Sequence, residues 1–480
     1  MSTQTPIDYL KFRARFSPDN AAYISLNQQT NFADFMVFVQ GIAAQLRERG
    51  VKPGQNIAIN HNDSFATLVA MMAVFHEGAN CCMTRERFDE LPIDYYVVNE
   101  IKPYMPDDRT LVIDRNKLRA SFDQSLRIEP RPFPSVDESC VVFSSSGTTG
   151  DPKLIALSPR LIDRRFKTHL ASRSTFGPVL IMIGLRSSVG FQTAMRALIS
   201  GEAVCFPSSI ERALKLIESR GIAEMLGSPA HYTTVAQFLA NEPYRFPQLR
   251  AVYTAGAPMP TSLLAELRAS FCRNIVGIYG SSEAGATTLA PTHVLANIAG
   301  AAGYTEPGVE VEIVDENDNR LLPGVEGIIR VRTDHSINEY PGNREDSIKV
   351  FRDGWFYPGD LGVMDEDDLL IVTGREVDVI NAGGMKVNPL VIEDYLTGLN
   401  SITDAAAFGT AAAGGVNEVW AAVISSDIIE IESLLAAARS NIGGKAPVRI
   451  VQVETIPRNE NGKIQRDVLR EKVEQMVLGA

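Results

Sequence analysis

The chain predicts an α/β protein, with a large layered N-terminal domain of several sheets and a small α+β C-terminal domain. Three observations carry this. Apolar runs of strand type alternate with amphipathic stretches through the first 375 residues, as in helices layered on sheets. A chain of 480 residues is too long for one core and splits into domains. After residue 375 the order changes to a short set of mixed strands and helices, so the boundary is placed between 1–375 and 376–480.

Taken in order, residues 32–50 carry apolar side chains at helical spacing (Phe35, Val37, Ile42, Leu46) and close on Gly50. A turn at 51–54 leads to a strand at 56–59, then to a buried helix at 64–76. Residues 179–184 and 203–206 are further short apolar runs. Residues 211–220 form an amphipathic helix ending at Gly221, and 233–239 a further apolar helix after Ser228-Pro229. Strands are expected at 250–255 and 274–279, and 309–314 should pair with 327–332 across a turn-rich linker. In the small domain Asn388 caps a helix with Pro389 at its first position. Strands near 405–408, 419–424 and 449–453, a helix at 431–441 and a last helix after 463 complete it.

Composition narrows the function. Lys plus Arg number 46 against 58 Asp plus Glu, a net charge of −12, which disfavours a nucleic-acid footprint. Five cysteines (Cys81, Cys82, Cys140, Cys205, Cys272) lack metal-ligand spacing and read as reduced buried thiols. The start, Met1-Ser2-Thr3-Gln4-Thr5-Pro6, lacks a signal-peptide pattern, and no run of eighteen apolar residues occurs. A cytoplasmic protein without a membrane span is expected, and a homodimer is allowed.

The densest chemical signal is Ser144-Ser145-Ser146-Gly147-Thr148-Thr149-Gly150-Asp151-Pro152-Lys153, fed by the apolar run Cys140-Val141-Val142-Phe143. Glycines permit close backbone approach, the hydroxyls donate, and the lysine adds charge, which together suit a polyphosphate. A flexible Ser/Thr/Gly connection has the same composition. The Walker pattern is absent, as are kinase motifs, which disfavours a simple ATPase or kinase. Ala255-Gly256-Ala257-Pro258 ends a strand in small residues and leaves room for a flat ligand, or is an ordinary turn. Glu283, among the hydroxyls and glycines of Gly280-Ser281-Ser282, suits Mg²⁺ alongside phosphates, or is a plain loop residue. Asp360, between Pro358-Gly359 and an apolar residue, can accept two hydrogen bonds from a vicinal diol, or serve a turn. Asn461-Gly462 makes a turn that holds Lys463 out on a projecting loop, where a solvated lysine is also ordinary.

These stretches together resemble the adenylate-forming superfamily: acyl- and aryl-CoA synthetases, adenylation domains of nonribosomal peptide synthetases, and luciferases. Residues 145–153 are similar to its phosphate loop, and 279–283 to its Tyr-Gly-x-[Ser/Thr]-Glu motif. Residues 354–360 resemble Gly-Trp-x-x-Thr-Gly-Asp, with Pro358 for the threonine. Residues 457–463 resemble the final lysine motif, with Asn459 for its threonine. The motifs stand in the family's order, and the likeness runs from about residue 30 to 470, with 81–136 short for the family.

The resemblance implies ATP-dependent activation of a carboxylic acid to an acyl adenylate with loss of pyrophosphate, then transfer to a thiol, CoA first among acceptors. It implies that residues 144–153 hold the β- and γ-phosphates and that Glu283 helps bind Mg²⁺. Ala255-Gly256-Ala257-Pro258 and Tyr279 would border adenine, and Asp360 with Arg375 the ribose. Lys463 would bridge the carboxylate and the α-phosphate on a mobile C-terminal lid. A later rotation of that lid would bring Gly383-Gly384 to the thiol tunnel; Val377 stands where the hinge is usually polar. Arg186 and Ser228 are assigned to the acid. Arg186 stands where many acyl-CoA synthetases have histidine and would contact a second carboxylate or polar acyl group, or pair structurally elsewhere. No aspartate occurs in 181–191, so amino acids are disfavoured. A ligase loading a carrier protein or amine, and a non-catalytic nucleotide-binding relative, remain open.

Overall fold

The structure is a computed structural model. It describes residues 3–83, 91–123, 128–144, 152–172, 176–241, 246–298, 300–382, 385–399, 401–411, 417–425, 427–458 and 464–478. Two sheets organise the large part. In the first, Val204–Cys205, Val179–Ile181, Glu224–Gly227, Ala251–Ala255 and Ile275–Ser281 run parallel in that spatial order. Antiparallel strands Gly285–Ala290, Ala301–Thr305, Leu370–Arg375, Asp360–Met364 and Gly327–Thr333 continue it, within a sheet of fifteen strands among the described residues. In the second sheet, Thr110–Val112, Tyr95–Val98, Asn56–Asn60, Asn80–Cys82 and Val141–Ser144 are parallel, and Leu154–Leu157 closes the edge antiparallel.

One core joins the sheets. Helix Ser64–His76 is apolar on every side and buried along nearly its whole length, as a helix between two layers must be. Asp63 caps it through the amide of Ala66 at 2.8 Å. Phe191, on helix Ser188–Ser200 of the first sheet, lies 6.4 Å from the ring of Phe75 and 5.5 Å from that of Phe143 under the second. Arg186, just past Val179–Ile181, donates to Asn60 at the end of Asn56–Asn60, so carboxyl ends of parallel strands from both sheets meet at a crevice, where open α/β sheets place ligands.

Residues from 380 onward pack on their own. Strands Asp404–Ala411, Asn417–Ile424 and Arg449–Gln452 form a three-stranded sheet. Ile380, Val387, Ile392, Leu396, Val423 and Leu435 fill one side of it, and Phe408, Ile456, Leu469 and Val473 the other. Asn388 caps helix Pro389–Thr397 as expected, by accepting from the amide of Leu390.

The expected elements of the large part are found, with additions. Helices Pro159–Ser172 and Arg344–Val350 carry many charges and read as solvated in isolation. The region expected to be shortened supplies two strands and helix Arg115–Asp123 to the second sheet. Asp360 begins a strand rather than sitting in a turn, in register with Arg375. All five cysteines are unpaired and buried, and burial pushes their thiols up, Cys82 to about 12. No helix among the described residues is long and apolar enough to cross a membrane.

Candidate active site

The carboxyl ends of the first sheet's parallel strands deliver the motif residues one beside another. Strand Val179–Ile181 leads to Arg186, Glu224–Gly227 to Ser228, Ala251–Ala255 to Gly256, and Ile275–Ser281 to Glu283. Gly256 has φ +96°, a left-handed conformation in which a side chain is strained, so the chain turns sharply there. Gly280 is required by close approach, since a Cβ there would stand 2.2 Å from the carbonyl of Gly285 across the tight hairpin.

Asp360 is buried and held from two sides. Tyr279 donates its hydroxyl to Oδ2 at 2.7 Å, and Arg375 donates Nε to Oδ1 at 2.8 Å. Burial pulls the Arg375 guanidinium down, but the charge and hydrogen bond of Asp360 outweigh it and leave it raised. Burial and the adjacent Asp360 charge push the Tyr279 phenol well up, so it remains a donor. Sequence motifs at 279, 360 and 375 therefore converge as one hydrogen-bonded unit.

The second unit surrounds Glu283. Its Oε1 accepts from the Tyr340 hydroxyl at 2.8 Å. Lys153 Nζ lies 5.1 Å from the centre of the same ring and 3.2 Å from Asp346. Beneath it, the fully buried Arg165 donates to the carbonyls of Glu283 (2.6 Å), Ser282 (3.2 Å) and His335 (3.0 Å). Burial pushes Arg165 down to about 10, with the charge of Glu283 pulling upward, so it stays a cation at neutral pH. Ser281 accepts from the amide of Ala284 at 3.0 Å and so shapes the turn. Glu283, bound by the tyrosine whose ring Lys153 overlies, offers one carboxylate of the kind Mg²⁺ uses together with phosphate oxygens and water.

At the other end, Arg186 donates to Oδ1 of Asn60 at 3.0 Å, linking the first sheet to the second. Gly190 lets that loop fold onto its helix, for a Cβ there would meet the carbonyl of Gly184 at 2.3 Å. Ser228 is buried, with Oγ 2.8 Å from His231 Nδ1, which also accepts from the Ser228 amide. Burial pushes His231 down and keeps it neutral. Ser144 ends its strand, whereas Ser145, Ser146, Gly147, Thr148, Thr149, Gly150, Gly383, Gly384 and Lys463 lie outside the described residues.

Sequence reasoning missed Tyr340, Asp346 and Arg165. Tyr340 precedes Pro341-Gly342, a turn signal that places an aromatic at a loop and is the one local hint available. Arg165 sits on a helix rich in charge, and only packing reveals it as interior.

Residues 10–340 match the AMP-binding enzyme family, and the chain belongs to it. It is 26% identical over 488 residues to a feruloyl-CoA synthase of Amycolatopsis sp., covering 96% of this chain and 97% of that protein. It is likewise 26% identical over 511 residues to a 2-succinylbenzoate–CoA ligase of Bacillus cereus, covering 98% and 100%. Its fold matches ATP-bound MatB from Rhodopseudomonas palustris with a TM-score of 0.86 at 22% identity, over 97% of this chain and 99% of that one.

Proposed function

We propose that this protein activates a carboxylic acid with ATP, forming an acyl adenylate and pyrophosphate, and then transfers the acyl group to the thiol of CoA. A carboxylate is a poor electrophile, and joining it to AMP supplies a leaving group. The carrying observation is that strand Ile275–Ser281 and its turn connect two units. Tyr279 binds Asp360 on one side, and Glu283 meets Tyr340 and the Lys153 region on the other. A ribose diol held by Asp360, with adenine along 255–258, directs a triphosphate toward Glu283 and the loop at 144–153. Mg²⁺ bound there would neutralise phosphate charge, with Glu283 as its protein ligand and Tyr340 orienting that carboxylate.

Attack by one anion on another is accelerated chiefly by positioning and electrostatic stabilisation. Lys463 supplies the cation between carboxylate and α-phosphate, carried by a C-terminal lid that starts at residue 376 and pivots near Val377. That residue is 62% exposed on the short turn Glu376–Asp378. Gly383-Gly384 would line the path of the thiol in the second step. The relatives named for feruloyl and 2-succinylbenzoyl acids support an aryl or acyl acid as substrate. Dependence on ATP and CoA, with five unpaired thiols, fits a cytoplasmic site of action.

ATP–pyrophosphate exchange across aliphatic, aromatic and dicarboxylic acids tests the first step, and CoA-dependent release of AMP tests the second. At least one acid should support exchange. Exchange with none of them, from folded protein that binds ATP, would overturn the proposal.

A further inference from the structure

We propose that Arg165 is the positioning residue for the metal-binding carboxylate: its buried guanidinium clamps the turn that bears Glu283 to the loop that ends at Tyr340. This role rests on the reading of Glu283 given above as the protein ligand of Mg²⁺. Helix Pro159–Ser172 follows strand Leu154–Leu157, which itself follows Lys153. Arg165 thus stands on the first helix after the serine-threonine stretch, and it is 0% exposed. Burying a cation is costly unless hydrogen bonds replace its water, and an apolar side chain of similar volume would fill the space without that penalty.

What the guanidinium touches explains why an arginine stands there. Nη2 donates to the carbonyl of Glu283 at 2.6 Å, Nη1 to that of Ser282 at 3.2 Å and Nε to that of His335 at 3.0 Å. One planar fork therefore fixes two successive carbonyls of the turn and one of the loop, which a single-point donor could not do. The loop grips the same place: the amide of Ile337 donates to the Glu283 carbonyl at 3.0 Å. A little further along, Tyr340 turns back and donates to Glu283 Oε1 at 2.8 Å. Glu283 is thus held by its main chain through Arg165 and by its carboxylate through Tyr340, and the loop from His335 to Tyr340 joins the two holds. His335 adds no second charge, since burial and the neighbouring guanidinium push it down to about 4. Mg²⁺ demands near-octahedral geometry, so a carboxylate that tilts with its turn binds it less well. Arg165 acts on the metal only through Glu283.

The test is calorimetric affinity for α,β-methylene ATP, which cannot release pyrophosphate, measured at saturating Mg²⁺ and again in EDTA. The ratio of the two affinities is the coupling between nucleotide and metal. Arg165→Lys keeps the charge and loses the fork, whereas Arg165→Met removes the charge and fills the space. Each should lower the ratio, Met more than Lys, toward the loss of about 10–100-fold in metal affinity usual when the partner behind a metal ligand is removed. Metal-free affinity, which does not call on Glu283 as a ligand, should move by less than about threefold. Combining Arg165→Lys with Tyr340→Phe should cost less than the product of the single losses, because both act on one carboxylate. Equal losses with and without metal, an unchanged ratio, strictly multiplicative losses in the double variant, or failure of both Arg165 variants to fold would each overturn the proposal. An unchanged ratio in folded variants leaves the adenylation reading standing. A wild-type protein that gains nothing from Mg²⁺ refutes the metal role of Glu283 and, with it, that of Arg165.

Discussion

The crevice of the large part and the unit beyond residue 380 use their charges differently. In the crevice, motif side chains are held by partners from distant elements: Asp360 by Tyr279 and Arg375, Glu283 by Tyr340, and Lys153 by Asp346. In the small unit, the charges secure its own fold. Arg458 binds Asp404 at 2.8 Å, and Arg466 binds Glu393, the carbonyl of Ala407 and, at 3.5 Å, Asp378. Both arginines flank the stretch that carries Lys463, and Arg458 bridges Ile464 across its base. A preset crevice suits binding, whereas a stretch whose two flanks are tied to a separate core suits the delivery proposed for Lys463. The comparison teaches that affinity and chemistry should be separable by mutation.

The largest expected effect tests that separation. Lys463→Ala should lower the rate of pyrophosphate exchange by about 10²–10³-fold, the usual loss when one preorganised charge-stabilising contact is removed. ATP affinity measured by calorimetry should change little. Wild-type exchange in this variant would end the assignment, and a large loss of ATP affinity would erase the distinction between the two regions.

Much of this was legible before any coordinates. Motifs at 279–283, 354–360 and 457–463 are contiguous, so they could be picked out locally, and the first two meet at Tyr279 and Asp360. The alternation of strands and helices also gave the layered class. What could not be read was nonlocal. Ala301–Thr305 pairs with Leu370–Arg375 across some sixty-five residues, and nothing in either segment names its partner. Arg165 looks like one more surface charge in a helix with Arg160 and Arg164, yet it is buried against the carbonyl of Glu283.

A smaller effect is expected in the crevice and should have the opposite kinetic character. Asp360→Asn keeps an acceptor but loses the charge that faces Arg375 and, in the proposed reading, the ribose. KM for ATP should rise by about ten- to hundredfold, the range for a lost charge-assisted hydrogen bond, while kcat changes by only about two- to threefold. Because the pair is largely buried, with side chains 12% and 27% exposed, some thermal stability should be lost as well. A loss confined to kcat would break the contrast, since the crevice would then act on the transition state alone.

The smallest effect turns on direction rather than size. Lys153 and Asp346 are 3.2 Å apart with side chains 18% and 29% exposed. A partly exposed pair of this kind is worth about 0.2–1 kcal/mol, so its removal should move KM by no more than about fivefold. If the triphosphate takes over Lys153, binding must first separate it from Asp346, and the pair opposes ATP. Asp346→Asn should then lower KM for ATP, and the gain should shrink as salt is raised, because screening already weakens the native pair. The substitution keeps the backbone amide that Asn343 caps at 3.0 Å, so the helix start is retained. A KM that rises instead would show that Asp346 presents Lys153 to the phosphates, making the carboxylate part of the preset crevice rather than a competitor within it.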